Sequence, residues 1–353
     1  MARSRFVVAG AGVVGASIAY HLALRGADGV VLADTETIAS GATGKALGGV
    51  RQQFSSAPEV RLARESVGFF RSLGPDLFEP VGYLFLATTE DGLDELERRR
   101  EVQASLGVPV ERVDAARVEG LMTDDVLGAV FCGEDGTADP AGITRELVRR
   151  AAELGVDVRE RTDALELDAD VLVLATGASS APLARKLGVE LPIRPLVRQL
   201  VETARVPGLA RELPLTIESE SGFHFRRRGE ALVLAMPEST PRWGDEQVVD
   251  EALVTDWVER IARRFPRPGL GRALRHDPRR ASHRRGGRRR ALRRVRVLRP
   301  RVHAGPGGGA DRRRRASRDG PLLRPFPVPP RTLRRRGGVP GDGHPVAPTL
   351  AGY

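Results

Sequence analysis

Three glycines near the start of the chain are spaced as in loops that bind phosphate groups. Gly10, Gly12 and Gly15 follow a short apolar run of the buried-strand type. They open a segment, 16–26, whose apolar residues recur at helical spacing. Gly10 permits a tight turn, Gly12 lets a diphosphate approach the backbone, and Gly15 lets the helix pack closely against the strand. The start of the helix offers free N–H groups and partial positive charge, so the pattern predicts a dinucleotide site.

An acidic residue ends the next predicted strand. The run 30–34, VVLAD, is typical of a buried strand, so strand, glycine turn, helix and strand form one βαβ unit. Asp34 stands about 20 residues beyond the last glycine, where a carboxylate can accept the hydroxyls of a ribose. The alternative is a glycine-rich packing turn with a solvated acid. The flanking strands and the acid together favour dinucleotide binding.

The loop after this acid bears on which dinucleotide is bound. Residues 40–54, SGATGKALGGVRQQF, are rich in glycine and hydroxyl groups. Such a loop can reach under the phosphates and ring of a flavin, whereas nicotinamide-binding domains usually continue into another helix. The loop therefore favours FAD, with a flexible surface loop as the alternative. An NAD-dependent dehydrogenase on a similar βαβ unit remains the second hypothesis.

The readable part of the chain predicts an α/β fold in two domains. Apolar strands and amphipathic helices alternate as far as residue 190, which is typical of a parallel sheet covered by helices. From residue 191 the strands alternate in polarity, as in an antiparallel sheet. We therefore predict a Rossmann-type FAD-binding domain and a second α+β domain, built on an antiparallel sheet, that covers the substrate. The predicted bounds are 1–80 and 138–190 for the first domain, 81–137 and 191–268 for the second, and 269–353 for a tail.

The positive charge of the chain is confined to its C-terminal end. The net charge is +10, but residues 267–353 hold 25 Arg, no Lys and 4 Asp, so the remainder is acidic. With 14 Gly and 12 Pro, this end cannot bury enough apolar area to offset chain entropy, and we predict disorder. The alternative is a tail that binds nucleic acid through phosphate contacts. One Tyr, one Phe and no regular Arg-Gly-Gly spacing argue against nucleic acid as a partner.

Six segments, in this order, resemble the FAD-dependent amine and amino-acid oxidoreductases. That family includes D-amino-acid oxidase, glycine oxidase, and the beta subunits of sarcosine oxidase and of a flavin-dependent proline dehydrogenase. The chain is most similar to the sarcosine oxidase beta type, over residues 5–266. Any one segment alone is unspecific, whereas their order and spacing are specific. The segments are VVAGAGVVGASIAYHLALRG, SGATGKALGGVRQQF, DGTADP, VLVLATGASS, IRPLVRQLVET and SGFHFRRRGEALVLAM.

The resemblance implies an enzyme that oxidises the C–N bond of a small secondary amine or amino acid. The substrate would be similar to sarcosine, dimethylglycine or proline. Its α-hydrogen would pass to flavin N5 as a hydride, and water would hydrolyse the resulting imine. No metal is needed. Because the most similar relatives work in hetero-oligomers, partner subunits are expected.

The resemblance also implies roles for individual residues. Asp34 would hold the adenosine ribose, and Val158 would offer its backbone to the adenine. Arg51 would lie near the flavin ring, where a cation favours the reduced anionic form, and a surface salt bridge is the alternative. His224 would line the substrate site, and a structural histidine is the alternative. The expected cofactor-binding residues are Gly10, Ala11, Gly12, Val13, Val14, Gly15, Asp34, Ser40, Gly41, Thr43, Lys45, Gly48, Gly49, Val50, Val158, Ala175 and Gly177, and the expected catalytic residues are Arg51 and His224.

The C-terminal end departs from the family pattern. Relatives usually carry a Tyr-Asp-x-Thr-Pro-Asp-like strand and a Gly-x-x-Gly-His-Gly-like turn beside the flavin, and neither is present. Residues 275–278 and 295–303 can be encoded so that one shared one-base shift yields similar motifs. We therefore hypothesise a frameshift near residue 268 that removed part of the flavin pocket, so that the chain is expected to bind FAD weakly or to be inactive. The hairpin before Asp170 is also short, although 170–177 have the pattern of a central parallel strand.

Other features exclude several classes of protein. Cys132 is the only cysteine, which excludes an internal disulfide framework and a multi-cysteine metal site. It does not match the position of covalent flavin attachment in relatives and is expected to be a small buried residue. No apolar run reaches the ~18 residues of a membrane span. Arg3 and Arg5 precede an apolar stretch that imitates a secretory signal, but glycines interrupt it, and we expect a cytoplasmic protein.

Overall fold

The computed structural model describes residues 5–245, 248–266 and, as a strand, 292–304. All of them lie in one compact unit, residues 1–305. The helices are α1 Val13–Leu24, α2 Ala42–Lys45, α3 Ala57–Ser72, α4 Glu90–Ser105, α5 Pro140–Glu153, α6 Ser180–Lys186 and α7 Glu251–Arg264. The strands are β1 Phe6–Ala9, β2 Val30–Ala33, β3 Gly49–Val50, β4 Phe78–Glu79, β5 Tyr83–Ala87, β6 Val110–Val113, β7 Gly128–Cys132, β8 Gly136–Ala138, β9 Asp157–Arg159, β10 Val171–Leu174, β11 Ile193–Thr203, β12 Leu215–Glu218, β13 His224–Arg228, β14 Ala231–Ala235 and β15 Leu292–Ala304.

A four-stranded parallel sheet carries the predicted βαβ unit. Its order is β10-β1-β2-β9, and β1 pairs with β2 from Phe6 opposite Val30. Both strands are almost wholly buried because their apolar runs are covered on the two faces of the sheet. Helices α1 and α5 cover one face, and α5 begins at a cap in which Asp139 accepts a hydrogen bond from Ala141 N at 3.1 Å. These elements place the glycine turn at the carboxyl end of β1.

An eight-stranded mixed sheet forms the second layer. Its order is β15-β11-β14-β13-β12-β5-β7-β6, and every neighbouring pair is antiparallel except β5 and β12. One face packs against α7 through Phe225, Trp257 and Phe265. The other face includes Tyr83, Phe85 and other apolar side chains that contact Leu47, from the loop before β3. The small sheet β3-β8-β4 connects this loop to the start of α5.

The structure departs from two sequence expectations. Residues 170–177 were expected to form a central strand, but β10 lies at the edge of its sheet among the described residues, with Val171 40% exposed. Within the described residues β10 pairs only with β1, so its other edge is left uncovered although its residues are apolar. Within the segment expected to be disordered, β15 pairs antiparallel with β11, so residues 292–304 differ from the expectation. The rest of 267–353, including 275–278, lies outside the described residues.

The division into two domains remains a proposal, although the parallel sheet falls in 1–80 and 138–190 as the predicted bounds require. No helix in the described ranges is both long and apolar enough to cross a membrane. Within the same ranges, no group of three or more His, Cys, Asp or Glu side chains is placed to hold a metal ion.

Candidate functional site

The glycine turn is shaped by contacts that exclude any side chain. Gly10 has a φ of +105°, and a Cβ built on it would lie 2.6 Å from the carbonyl oxygen of Ala175. A Cβ on Gly15 would lie 1.8 Å from the carbonyl oxygen of Gly10. Because both obstacles are backbone atoms, neither can move aside as a flexible side chain could. The turn therefore has the close backbone approach that a diphosphate cradle requires.

Helix α1 begins at the open end of this turn. Gly12 caps the helix without a side-chain hydrogen bond. Thr43, from the loop after Asp34, accepts a hydrogen bond from Val13 N at 3.1 Å through its hydroxyl. The first turn of α1 thus points its N–H groups toward a loop that carries glycine and hydroxyl groups, which is an arrangement suited to an anion.

The carboxylate of Asp34 lies at the mouth of the glycine turn. Its Oδ2 accepts a hydrogen bond from Ala11 N at 2.7 Å, and its Oδ1 accepts one from Glu36 N at 2.8 Å. Each carboxylate oxygen can accept a further hydrogen bond, so the group can still bind ribose hydroxyls. Gly10 to Gly15 together with Asp34 are called the nucleotide turn below.

Three more predicted residues surround the nucleotide turn. Val158 lies on β9, the outer strand of the sheet, opposite Leu32. Because Arg159 O accepts the hydrogen bond from Asp34 N and strand backbones alternate direction, the backbone of Val158 points away from β2. Ala175 donates its N–H to Ala9 O at 2.8 Å, and Gly177 follows with a φ of +58°. The structure therefore brings these positions to the same end of the parallel sheet.

The loop from residue 39 to residue 50 is held close to its neighbours. Ala39 adopts a φ of +61° and donates its N–H to Ala11 O at 3.0 Å. Gly48 has a φ of +82°, and a Cβ on it would lie 2.4 Å from Ala138 O. A Cβ on Gly49 would lie 1.9 Å from the hydroxyl of Tyr83. In the same loop Gly41 caps α2 and Lys45 is its last residue. Of the other predicted cofactor-binding residues, Val14 and Ser40 are exposed and Val50 is half-buried.

Arg51 and His224 are connected by one row of side chains across the eight-stranded sheet. The guanidinium of Arg51 lies 4.8 Å from the ring centre of Phe54 and 5.4 Å from that of Phe85. Phe85 is opposite Ile217, and Ile217 is opposite His224, so the three share a face. His224 Nδ1 lies 2.8 Å from Gly222 O, which orients the ring. Arg51, Phe54, Phe85 and His224 are called the sheet wall below.

Sequence reasoning missed a buried cluster next to Arg51. Asp135 is fully buried and is bound by Gln52 and Gln53, the two residues that follow Arg51. Burial raises the pKa of Asp135 to about 6, against the lowering effect of these hydrogen bonds. The signal was present, because DGTADP and the two glutamines belong to matched segments, but neither was assigned a role. Cys132 is buried as expected, and burial raises the pKa of its thiol to about 12.

A separate cleft of about 420 Å³ lies at the start of α5 and is also lined by Gly44 and Ala46. Its charges are mixed, since Arg226 and Arg228 share it with Asp139 and other acids. Burial lowers the pKa of Arg226 to about 10. Because charges of both signs line it, the cleft indicates no particular ligand.

Comparison with known proteins identifies relatives over most of the chain. The FAD dependent oxidoreductase family matches residues 5–308. The 4-methylaminobutanoate oxidase (formaldehyde-forming) of Paenarthrobacter nicotinovorans is 29% identical over 266 residues, which cover 67% of this chain and 32% of that protein. Mitochondrial sarcosine dehydrogenase of Mus musculus is 27% identical, with 68% of this chain and 30% of that protein covered. The chain thus spans about a third of the length of these curated relatives.

The fold also matches solved structures. The structure of L-proline dehydrogenase from P. horikoshii superposes with a TM-score of 0.71 and 21% sequence identity. The match covers 84% of this chain and 81% of that protein. At this level of identity the likeness concerns the arrangement of helices and strands.

Proposed function

The chain belongs to the family of FAD-dependent oxidoreductases, and from this premise we propose that it oxidises the C–N bond of a small secondary amine or amino acid. The observation that carries the proposal is the contact between Asp34 Oδ2 and Ala11 N, at 2.7 Å. It puts a carboxylate that could accept ribose hydroxyls beside Gly10 and Gly15, where a Cβ would meet backbone atoms. The geometry of the nucleotide turn therefore fits a dinucleotide.

The residues that would hold FAD follow from their positions around the turn. Gly10, Gly12 and Gly15, with the start of α1, would hold the diphosphate, and Asp34 would hold the adenosine ribose. Val158 would present its backbone to the adenine. The loop would contact the phosphates and the flavin through Ser40, Gly41, Thr43, Lys45, Gly48, Gly49 and Val50.

The sheet wall would bind and orient the amine. FAD supplies a two-electron acceptor for the hydrogen on the carbon next to nitrogen. The apolar rings of Phe54 and Phe85 would exclude water and favour the neutral amine over its ammonium form. Arg51 would stabilise negative charge that develops beside the wall, and His224 would position the substrate. Water would then hydrolyse the imine product.

The substrate, the partners and the location belong to the same proposal. The relatives are named for 4-methylaminobutanoate and sarcosine, which both carry an N-methyl group on a secondary amine, and this chemistry suits the wall. We expect partner subunits and a cytoplasmic location. A frameshift near residue 268 would leave the pocket incomplete, and the nucleotide sequence tests it. If no single insertion or deletion restores the family motifs, the frameshift is refuted.

The experiment that tests the function is flavin binding by the purified chain. FAD is added in excess, free FAD is removed, and the visible spectrum and the dissociation constant are measured. We expect a bound flavin whose absorption bands differ from those of free FAD, with weak affinity if the frameshift is real. An Asp34→Ala variant should bind at least tenfold more weakly than the wild type. Glu36→Ala is the matched control, because its carboxylate is exposed beside the same turn. Binding of NAD in place of FAD would support the dehydrogenase alternative and contradict the proposal.

A further inference from the structure

Asp135 is a buried acid that the proposed function leaves without a role. It lies in the turn between β7 and β8, and its relative exposure is 0%. Its hydrogen-bond partners are neutral amides and a thiol rather than a cation. A carboxylate in such surroundings is costly to ionise, so its presence calls for a physical reason.

Three N–H donors from two consecutive residues converge on this carboxylate. Oδ1 accepts hydrogen bonds from the backbone N of Gln52 at 2.8 Å and from its side-chain Nε2 at 3.1 Å. Oδ2 accepts one from Nε2 of Gln53 at 3.1 Å. A neutral asparagine could not accept all three, because its own NH₂ group would face the NH₂ group of a glutamine. The carboxylate is therefore matched to this set of donors. Asp135, Gln52 and Gln53 are called the Asp135 clamp.

The Asp135 clamp continues the pairing of β3 with β8 past Arg51. Val50 pairs with Gly136 in the β3–β8 ladder, and Gln52 is bound by Asp135 immediately beside that ladder. Arg51 lies between these two fixed points. Its guanidinium is consequently directed toward Phe54 and Phe85 by a backbone held on both sides.

The clamp is also anchored to the sheet beneath it. Gly82 N donates to the backbone oxygen of Asp135 at 2.8 Å, and Gln53 Nε2 also contacts Tyr83 O at 3.3 Å. Tyr83 begins β5, the strand that carries Phe85 of the sheet wall. The clamp thus connects the segment after β3, the β7–β8 turn and the start of β5.

Two other ionisable side chains, Cys132 and Glu134, lie beside the clamp. Cys132 from β7 has its pKa raised to about 12 by burial, so its thiol stays neutral. Glu134, in the same turn, forms an ion pair with Arg71 of α3 at 3.4 Å. Gln52 and Gln53 do not titrate.

We propose that Asp135 is a positioning residue, whose ionised carboxylate holds the segment 51–53, and with it the backbone of β3, in place at the flavin-facing side of the sheet wall. The proposal rests on the proposed function for its link to FAD. The positioning itself is a property of the protein without cofactor. Asp135 is not among the residues that would contact the substrate or the cofactor under the proposed function.

The test compares the whole chain with Asp135→Asn, which keeps the size of the side chain and removes its charge. Asp125→Asn is the matched control, because Asp125 binds Arg264 on the opposite side of the eight-stranded sheet. The first readout is hydrogen exchange at the Gln52 backbone amide without FAD. The second is the dissociation constant and visible spectrum of bound FAD between pH 5 and pH 8.

We expect Asp135→Asn to speed exchange at the Gln52 amide at least tenfold and to weaken FAD binding at least tenfold at pH 8. The wild type should lose affinity as the pH falls through about 6, whereas the variant should show no such step. Asp125→Asn should behave as the wild type in both readouts. Unchanged exchange at Gln52 in Asp135→Asn would overturn the proposal. If the wild type binds no FAD at any pH, the proposed function fails, and exchange at Gln52 alone decides the role of Asp135.

Discussion

The nucleotide turn and the sheet wall are fixed by opposite kinds of contact. In the nucleotide turn, Gly10 and Gly15 lie against backbone atoms, and these positions serve because they carry no side chain. In the sheet wall the deciding contacts are between side chains, as where Arg51 lies over Phe85. The turn therefore has no room for an added methyl group at Gly10 or Gly15. The sheet wall instead depends on side-chain contacts, which substitutions can weaken gradually.

The largest effect should come from adding one methyl group to the nucleotide turn. Gly15→Ala places a Cβ against Gly10 O, where only a backbone shift gives room, so we expect a loss of about 3 kcal/mol or more and no FAD binding. Gly68→Ala is the control, because Gly68 lies exposed in α3 with open space around it. Alanine there should stabilise the protein by about 0.5–1 kcal/mol. Urea denaturation measures both, and equal effects would contradict the comparison.

The next largest effect concerns the clamp beneath the sheet wall. The folded-state pKa of Asp135 is raised from 3.8 to about 6, so its protonated form is favoured by folding. Protonation of Asp135 therefore contributes about 3 kcal/mol to the free energy of unfolding below pH 4. This contribution is lost as the pH rises through about 6. The free energy of unfolding of the wild type relative to Asp135→Asn should therefore fall over that window. A pH-independent difference in urea denaturation would be inconsistent with a buried, titrating carboxylate.

A smaller effect is expected from the cation of the wall. Arg51→Met keeps the length of the side chain over Phe54 and Phe85 but removes its charge. With FAD bound, we expect the rate of flavin reduction by sarcosine to fall about 100-fold, with stability changed by less than about 1 kcal/mol. Stopped-flow absorbance measures the rate. The control, Arg51→Lys, keeps the charge and should retain part of the rate of flavin reduction. An Arg51→Met variant that is as fast as the wild type would show that Arg51 has no role in the reaction.

The smallest effect should come from strain in the loop that joins the two regions. Ala39 adopts a φ of +61°, which costs a residue with a Cβ about 1–2 kcal/mol. Because glycine loses more freedom on folding, Ala39→Gly should stabilise the chain by only about 0.5 kcal/mol net. Ala42→Gly, in helix α2, should instead destabilise it. Thermal denaturation distinguishes the two, and the strain argument fails if both variants lose stability.

The same contrast explains what could be predicted from the sequence. The position of the nucleotide turn follows from local spacing, since Gly10, Gly12, Gly15 and Asp34 belong to one βαβ unit whose geometry is general. The family resemblance then named Arg51 and His224. Neither source indicated that Phe85 and Ile217 connect them, because strand order and register depend on pairings between distant segments.

Two errors have the same origin. The Asp135 clamp was missed because it joins Gln52 to a turn more than eighty residues away, and no local pattern marks a buried carboxylate. The strand β10 was expected at the centre of its sheet because its residues are apolar. An apolar run indicates that a strand can be buried on both faces. Which strands pair with it depends on other segments of the chain.

The single thiol of the chain has a practical consequence. Cys132 is enclosed in the protein beside Asp135, and its pKa of about 12 keeps it protonated at ordinary pH. Aromatic disulfide reagents should therefore modify it only when β7 separates from its neighbours. The native chain thus carries its own chemical reporter of transient opening under the clamp. Cysteines introduced at exposed positions could be labelled with dyes against a silent background.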